Sequence, residues 1–407
     1  MKIRNAISGM IGLMLILNQF FFCSQDKKPK NNYGSIEQII ENIQRSGDYD
    51  QELVFGSELH GTKDEFLLGS SDYFAVNHKN EVIVLDENNV KLFDINGRGQ
   101  KIIARKGNGP GEFNSTVIPY FSPDGYLILY SGGIYNLFSP DFEFIEKKRF
   151  LNSAKLINYM NENGISVEDV FKIKEVYPLS SHEKIYCLLI KRPDVINIEV
   201  IYESKDKIFP VVKINDPYHL VYGSNVGRIM YFADFVWGLL PDRKIYYINT
   251  AEDTHADSVS YYQLHVVDID SGRDNRYECE FEQVPIPEHY LKTFKRSSGS
   301  RSTNVLNDML YEKLKEQKYL PSIALTNTDR NLLINYSFYD AELFDSEKDP
   351  EIFADIFNAE KKRFTEPVSL KMVTIRNGFG YISAKDEDGF PVIRRYRLNK
   401  ELIGKIY

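Results

Sequence analysis

The sequence predicts an all-β protein, and three observations carry that prediction. Of 407 residues, 13% are aromatic, with 26 Phe and 27 Tyr against a single Trp, and such rings suit pleated, half-buried strands. From about residue 66 the chain cycles through short apolar runs and turn residues, with few helical stretches between them. Charge points the same way, toward an ordinary folded body: 50 Lys and Arg against 58 Asp and Glu leave a net charge of −8. That balance argues against a dominant nucleic-acid surface, which needs clustered cationic charge. The 43% hydrophobic and 27% charged content is that of a folded chain, neither disordered nor polytopic in a membrane.

Residues 1–23 read as a signal peptide. Lys2 and Arg4 precede a run from Ala6 to Phe22 without a charged residue. Its apolar core, Met10 to Leu17, is too short for a spanning helix, which needs about 20 apolar residues. Cys23 follows at once and resembles the lipid-attachment cysteine of bacterial lipoproteins, although Phe20, Phe21 and Phe22 stand where such signals usually carry a small residue. An uncleaved N-terminal anchor satisfies the same pattern. Both readings place the body outside the cytoplasm, membrane-anchored and on the periplasmic or outer surface. Residues 24–48 read as a polar tether and a short packing helix, in which Ser35 and Gln38 fit a capping box and Ile36, Ile39, Ile40 and Ile43 share a face.

Residues 49–407 hold the repeating body. Its first unit is spelled most clearly: Val82 to Leu85, Val90 to Phe93 and Lys101 to Arg105 are strands, with turns at Asp86 to Asn89 and Asp94-Ile95-Asn96-Gly97. A second unit uses Tyr126 to Tyr130, Tyr135 to Phe138 and Phe142 to Ile145; the third spans Val170 to Ile214 and the fourth Arg228 to Glu282. The fifth spans Ile323 to Leu370 and the sixth Met372 to Tyr407, including a last strand at Leu402 to Ile406. Each of the six units averages about 57 residues from residue 66 onward, above the roughly 40 to 50 residues of a common propeller blade, so insertions are expected. Thr250 to Ser260 reads as a long exposed loop, while Asn304 to Lys318 and Ser153 to Asn163 read as short helices. Stacking small aromatic-rich sheets around an axis buries a continuous core that no sheet covers alone, and the segment near residues 49–80 is expected to close the ring.

The stretch from Leu85 to Phe113, LDENNVKLFDINGRGQKIIARKGNGPGEF, resembles the repeat of bacterial six-bladed β-propeller lipoproteins related to the NHL repeat. In that family a strand ends at Asp, a second ends in FDxxG, and a glycine-rich loop ending in Gly-Glu-Phe leads to the next blade. Phe93, Asp94 and Gly97 match, as do Gly107, Gly109, Pro110, Gly111, Glu112 and Phe113. The resemblance weakens in later units, where the turn becomes VDIDSG or IFNAEKK. It implies an all-β, six-bladed β-propeller carrying an N-terminal signal or anchor segment and a few short inserted helices.

Chemistry is harder to find. The Gly107 to Gly111 loop has neither dinucleotide nor P-loop spacing, and Pro110 removes one donor, so it reads as a structural blade connection anchored by Phe113. The turns Asp386 to Gly389 and Asp268 to Gly272 lack EF-hand spacing and read as hairpin turns. His60, His78, His182, His219, His255, His265 and His289 show no paired ligand spacing, and no GxSxG elbow occurs. Cys187 and Cys279 read as two buried thiols, although export would permit a disulfide between them; no CxxC pair points to redox chemistry, and Trp237 reads as a core residue. No catalytic residue, metal ligand or cofactor is assigned from sequence. The expectation is a non-catalytic binding module for a protein, small-molecule or glycan ligand seated over the central channel, touching the membrane only through its N-terminal anchor. The alternative is a metal-dependent hydrolase or lyase with its site on the axis.

Overall fold

A computed structural model describes residues 49–57, 63–131, 133–149, 153–180, 182–216, 219–223, 225–228, 235–256, 259–283, 285–286, 301–316, 318–319, 326–329, 331–338, 352–365, 368–369 and 374–398. The signal segment with Cys23, the tether and its helix, the Leu402 to Ile406 strand, His60 and His289 lie outside the described residues.

Strand β1 (Tyr49–Phe55) precedes the first complete blade, which contains β2 (Tyr73–Val76), β3 (Val82–Asp86), β4 (Asn89–Phe93) and β5 (Gly99–Arg105). Blade 2 holds β6 (Ile118–Phe121), β7 (Leu127–Ser131), β8 (Ile134–Phe138) and β9 (Phe144–Arg149). Helix α1 (Ala154–Glu162) leads to blade 3, made of β10 (Val170–Pro178), β11 (Lys184–Lys191), β12 (Ile196–Glu203) and β13 (Ile208–Asp216). A hairpin of β14 (His219–Tyr222) and β15 (Asn225–Arg228) follows. Blade 4 comprises β16 (Phe235–Leu240), β17 (Lys244–Asn249), the short β18 (Thr254–Ala256), β19 (Val259–Asp268) and β20 (Asp274–Glu282). Helix α2 (Arg301–Glu316) precedes blade 5, with β21 (Thr326–Asp329), β22 (Leu332–Phe338), β23 (Ile352–Asn358), β24 (Arg363–Phe364) and β25 (Val368–Ser369). Blade 6 is β26 (Thr374–Arg376), β27 (Phe379–Lys385) and β28 (Pro391–Leu398), completed by β1 in the order β1-β28-β27-β26. The body is thus a six-bladed propeller with all blade pairs antiparallel.

The closing strand is the segment Tyr49–Phe55, paired from Tyr49 with Leu398 to Phe55 with Ile393. Blade 1 docks on it. The Asp94 carboxylate accepts the N–H groups of Asn96 and Arg98, both at 2.9 Å, and fixes a tight turn. Gly97 in that turn has φ +78°, and a Cβ there would sit 3.2 Å from the Val54 carbonyl oxygen, so only glycine lets the turn approach β1 this closely. Arg395 of β28 donates to the Ile95 carbonyl at 2.7 Å across the same seam.

Apolar clusters are shared between neighbouring blades. At the seam, Phe55, Tyr381 and Ile393 pack with Val76, Val82, Val84 and Phe93. Further clusters join blades 1 and 2, 2 and 3, 3 and 4, and 4 and 5. Trp237 is buried in the cluster between blades 3 and 4, edge-on to Tyr177 at 5.0 Å. Helix α1, capped by Ser153, inserts Leu156, Tyr159 and Met160 between blades 2 and 3. Helix α2 packs on the β14–β15 hairpin, where Gly227 leaves room for Leu306 and Leu310. Cys187 is buried and Cys279 partly so, and both are free thiols.

One expectation needs correction. Thr250 to Ser260 is not simply an exposed loop, because Thr250 and Ser260 are buried and β18 folds back on β19. Glu252 reaches His265 of blade 4, while Thr254, His255 and Ala256 of β18 are exposed as expected.

Candidate functional site

The inner strands β2, β6, β10, β16, β21 and β26 each stand at the end of their sheet. β2 lies against β6 and β26, and β21 against β16 and β26. Between these strands opens a cavity of about 370 Å³ to which every blade contributes: Ala75, Tyr120, Tyr177, Leu239, Asp329 and Arg376 are among its lining residues. Its volume lies at the small end of the roughly 300–1,000 Å³ typical of ligand sites.

The polar side of the cavity is built at the turns that end the inner strands of blades 5, 6 and 1. Asp329, at 0% exposure, needs partners for its charge. One carboxylate oxygen stands 3.4 Å from Arg376 Nη1, and the other accepts the Asn377 backbone N–H at 2.8 Å. The Asn377 amide then donates to the His78 carbonyl at 2.8 Å and to Asn80 Oδ1 at 3.2 Å. Asn80 and Asn377 both have positive φ, +61° and +49°, a conformation asparagine tolerates better than most side chains. Asn77 accepts the N–H groups of Lys79 and Glu81, each at 2.9 Å. Most polar groups on this side are therefore occupied in holding turns, and Arg376 is the ionised side chain left partly exposed to the cavity.

The opposite wall is aromatic. Tyr120 and Tyr177 meet edge to face at 4.9 Å. Tyr120 donates its hydroxyl to the Val176 carbonyl. Burial, with the nearby Glu175 charge, pushes both phenols well above their ordinary range, so they are neutral. Among the described lining residues Asp329 is the one carboxylate. Among the described residues no group of three or more His, Cys, Asp and Glu is arranged to hold a metal ion.

The loop-motif residues sit elsewhere, and none of Asp94, Gly97, Gly107, Gly109, Pro110, Gly111, Glu112 and Phe113 lines the cavity. The glycine loop does cradle an anion, but the anion is the chain's own. Glu112 Oε2 accepts the Gly109 N–H at 2.7 Å, and a Cβ on Gly107 would lie 2.2 Å from that oxygen. Phe113 is buried between blades 1 and 2. The two acidic turns are closed by their own carboxylates: Asp268 accepts from the Ser271 N–H and hydroxyl, both at 2.7 Å, and Asp386 accepts from the N–H groups of Asp388 and Phe390. Sequence reading passed over Asp329, Arg376 and Asn377. The only signal was the Asn-Gly pair at 377–378, which marks a tight turn.

A second polar constellation lies in blade 4. His265, 1% exposed, is held between Glu252 and Asp274, each 2.9 Å from a ring nitrogen, and stacks on Tyr247 at 4.2 Å. Burial alone would lower its pKa, but the hydrogen bonds and charges of Glu252 and Asp274 outweigh this and hold it above the usual value. The same contact lowers Glu252. Arg276 also reaches Asp274, at 3.3 Å.

Comparison with known proteins gives likeness of shape only. No protein-family model matches the chain. No curated protein matches it in sequence. Among solved structures, a protein of Bacteroides fragilis designated as exported aligns at 12% identity over 87% of this chain and 96% of its own, with a TM-score of 0.47. The WD40 domain of Pan2 from Neurospora crassa aligns at 7% identity over 87% and 96%, with a TM-score of 0.37. A gluconolactonase from Xanthomonas campestris aligns at 9% identity over 80% and 85%, with a TM-score of 0.34. Likeness at this level bears on neither ligand nor activity.

The raised His265 pKa makes a signed prediction. Its stabilisation is complete below the unfolded-state value of about 6.5 and is lost as pH rises through the higher folded-state value. Urea midpoints of the protein and its His265→Gln variant, compared between pH 6 and 9, are expected to differ most at the acid end and to converge as pH rises. A gap independent of pH contradicts the charged pairing.

Proposed function

We propose that the chain is an extracytoplasmic, non-catalytic binding module that takes a small ligand into its axial cavity. The observation that carries this reading is the cavity itself, since residues from all six blades line one space of about 370 Å³. Such convergence at a propeller axis gathers side chains that are far apart in sequence. A binding role, rather than catalysis by an axial hydrolase or lyase, is supported by the commitment of Asp329 to Arg376 and Asn377. That carboxylate is spent on architecture. Export is supported by the charge-free run ending at Cys23, and membrane attachment by lipid on that cysteine forms part of the same reading.

Two measurements check it. A mixed-charge panel of small metabolites is expected to contain ligands that raise the thermal midpoint in proportion to the logarithm of their excess concentration. Ala75→Phe or Thr328→Phe, each placing a ring at the cavity wall, should abolish those shifts while leaving the unliganded midpoint within a few degrees. A panel without any stabiliser, or equal shifts in both variants, contradicts the axial site. For the anchor, cells fed a labelled fatty acid should mark the full chain but not its Cys23→Ala variant; undiminished labelling of the variant refutes attachment there.

A further inference from the structure

The chemistry of the cavity wall narrows the ligand class. We infer that the axial cavity selects a small organic acid with a ring or other apolar body, its carboxylate held by Arg376; this rests on the axial-binding reading and specifies its ligand.

Asp329 and Arg376 form an ion pair, but the two are not presented equally: the Asp329 side chain is 0% exposed and that of Arg376 is 21% exposed. The carboxylate is fully buried while the guanidinium keeps some exposure, so of the two charged side chains lining the cavity the cation is the more accessible. His78 also lines this side. Glu175, whose charge acts on Tyr120 and Tyr177, is not itself a lining residue.

Hydrogen-bonding capacity points the same way. A guanidinium offers five N–H donors in a planar fork, and the Asp329 contact of 3.4 Å engages Nη1 alone. Arg376 Nε is buried and has no acceptor among the described residues, so the donors that can meet a ligand are those of the terminal Nη1 and Nη2. Asp329 in turn is braced by the Asn377 N–H, which fixes one corner of the guanidinium and leaves the remaining donors to a second acceptor. A carboxylate is the acceptor whose two oxygens match that fork. A lysine would not supply the same geometry.

The rest of the wall sets the body of the ligand. Tyr120, Phe121 and Tyr177 of blades 2 and 3 form the apolar wall, and Phe74 and Leu239 also line the cavity. These surfaces reward an apolar or flat ring, and a space of about 370 Å³ suits the body of a small molecule. One end charged and one end apolar is the shape of a small aromatic or cyclic acid.

The test uses matched probes on the full folded chain: benzoate, phenylacetate, phenylpropionate and indoleacetate, each against its neutral amide, with phenethylamine as the cation. Affinity is read by equilibrium dialysis and by thermal shift. At least one acid should bind at least tenfold more tightly than its amide and than the amine. Arg376→Gln should remove that preference, and Arg376→Lys, which keeps charge but not the fork, should recover less than half of the acid's thermal shift. Circular dichroism of both variants separates loss of binding from loss of fold, and the lysine variant serves if the glutamine one unfolds. Acids that bind no better than their amides, or that bind Arg376→Gln unchanged, overturn the carboxylate assignment. If neutral probes bind and the Ala75→Phe plug abolishes them, axial binding stands and only the ligand class falls. If acid binding survives the plug, the site is elsewhere and both readings fall together.

Discussion

Everything in this molecule depends on the pairing of β1 with β28, which makes the first described strand the outer strand of the last blade. A propeller blade cannot bury both of its faces alone, and an open stack of blades would leave two apolar faces in water. Closure by β1 removes that problem. It also sets the position of blade 1, since the Asp94 to Gly97 turn docks against Val54 and Ile95 receives Arg395. The shared cluster of Phe55, Phe93, Tyr381 and Ile393 then seals the seam. A contact at the rim is thereby converted into a fixed spacing at the axis.

The cavity follows from that geometry. Inner strands pair on one side only, so their free edges and end turns face one another across a space the outer strands hold open. On one side of this space, hydrogen bonds step from Asp329 in blade 5 through Asn377 in blade 6 to His78 and Asn80 in blade 1. The same groups that close the ring position Arg376. Binding and architecture therefore use one network, which explains why a buried carboxylate can serve as a support for a cation rather than as a reactive group.

The architecture was legible because its signals are local. Val82 to Leu85 and Val90 to Phe93 declare a hairpin by apolar runs and an intervening turn, and the helices near residues 153 and 304 declare themselves by apolar spacing. The site was not legible, for a physical reason: β21 reads Thr-Asn-Thr-Asp and β26 reads Thr-Ile-Arg. Strands of three or four residues carry too little pattern to be read, and their partners lie about 47 residues apart at Arg376 and Asp329 and almost 300 apart at Asn377 and His78. The glycine loop shows the converse. Its conspicuous motif serves Glu112 and a blade junction, while the cavity is lined by residues no motif announces. Closure lay between these cases: the region 49–80 was expected to supply it, but only the structure divides that region into β1 for the seam and β2 for the axis.

Amide hydrogen exchange followed by mass spectrometry tests the closure most directly. The account predicts that peptides covering Tyr49–Phe55 are protected to the same degree as those covering Pro391–Leu398 and lose protection with them as denaturant is added. Exchange of the Tyr49–Phe55 amides at the rate of an unstructured peptide, with β28 still protected, would contradict it.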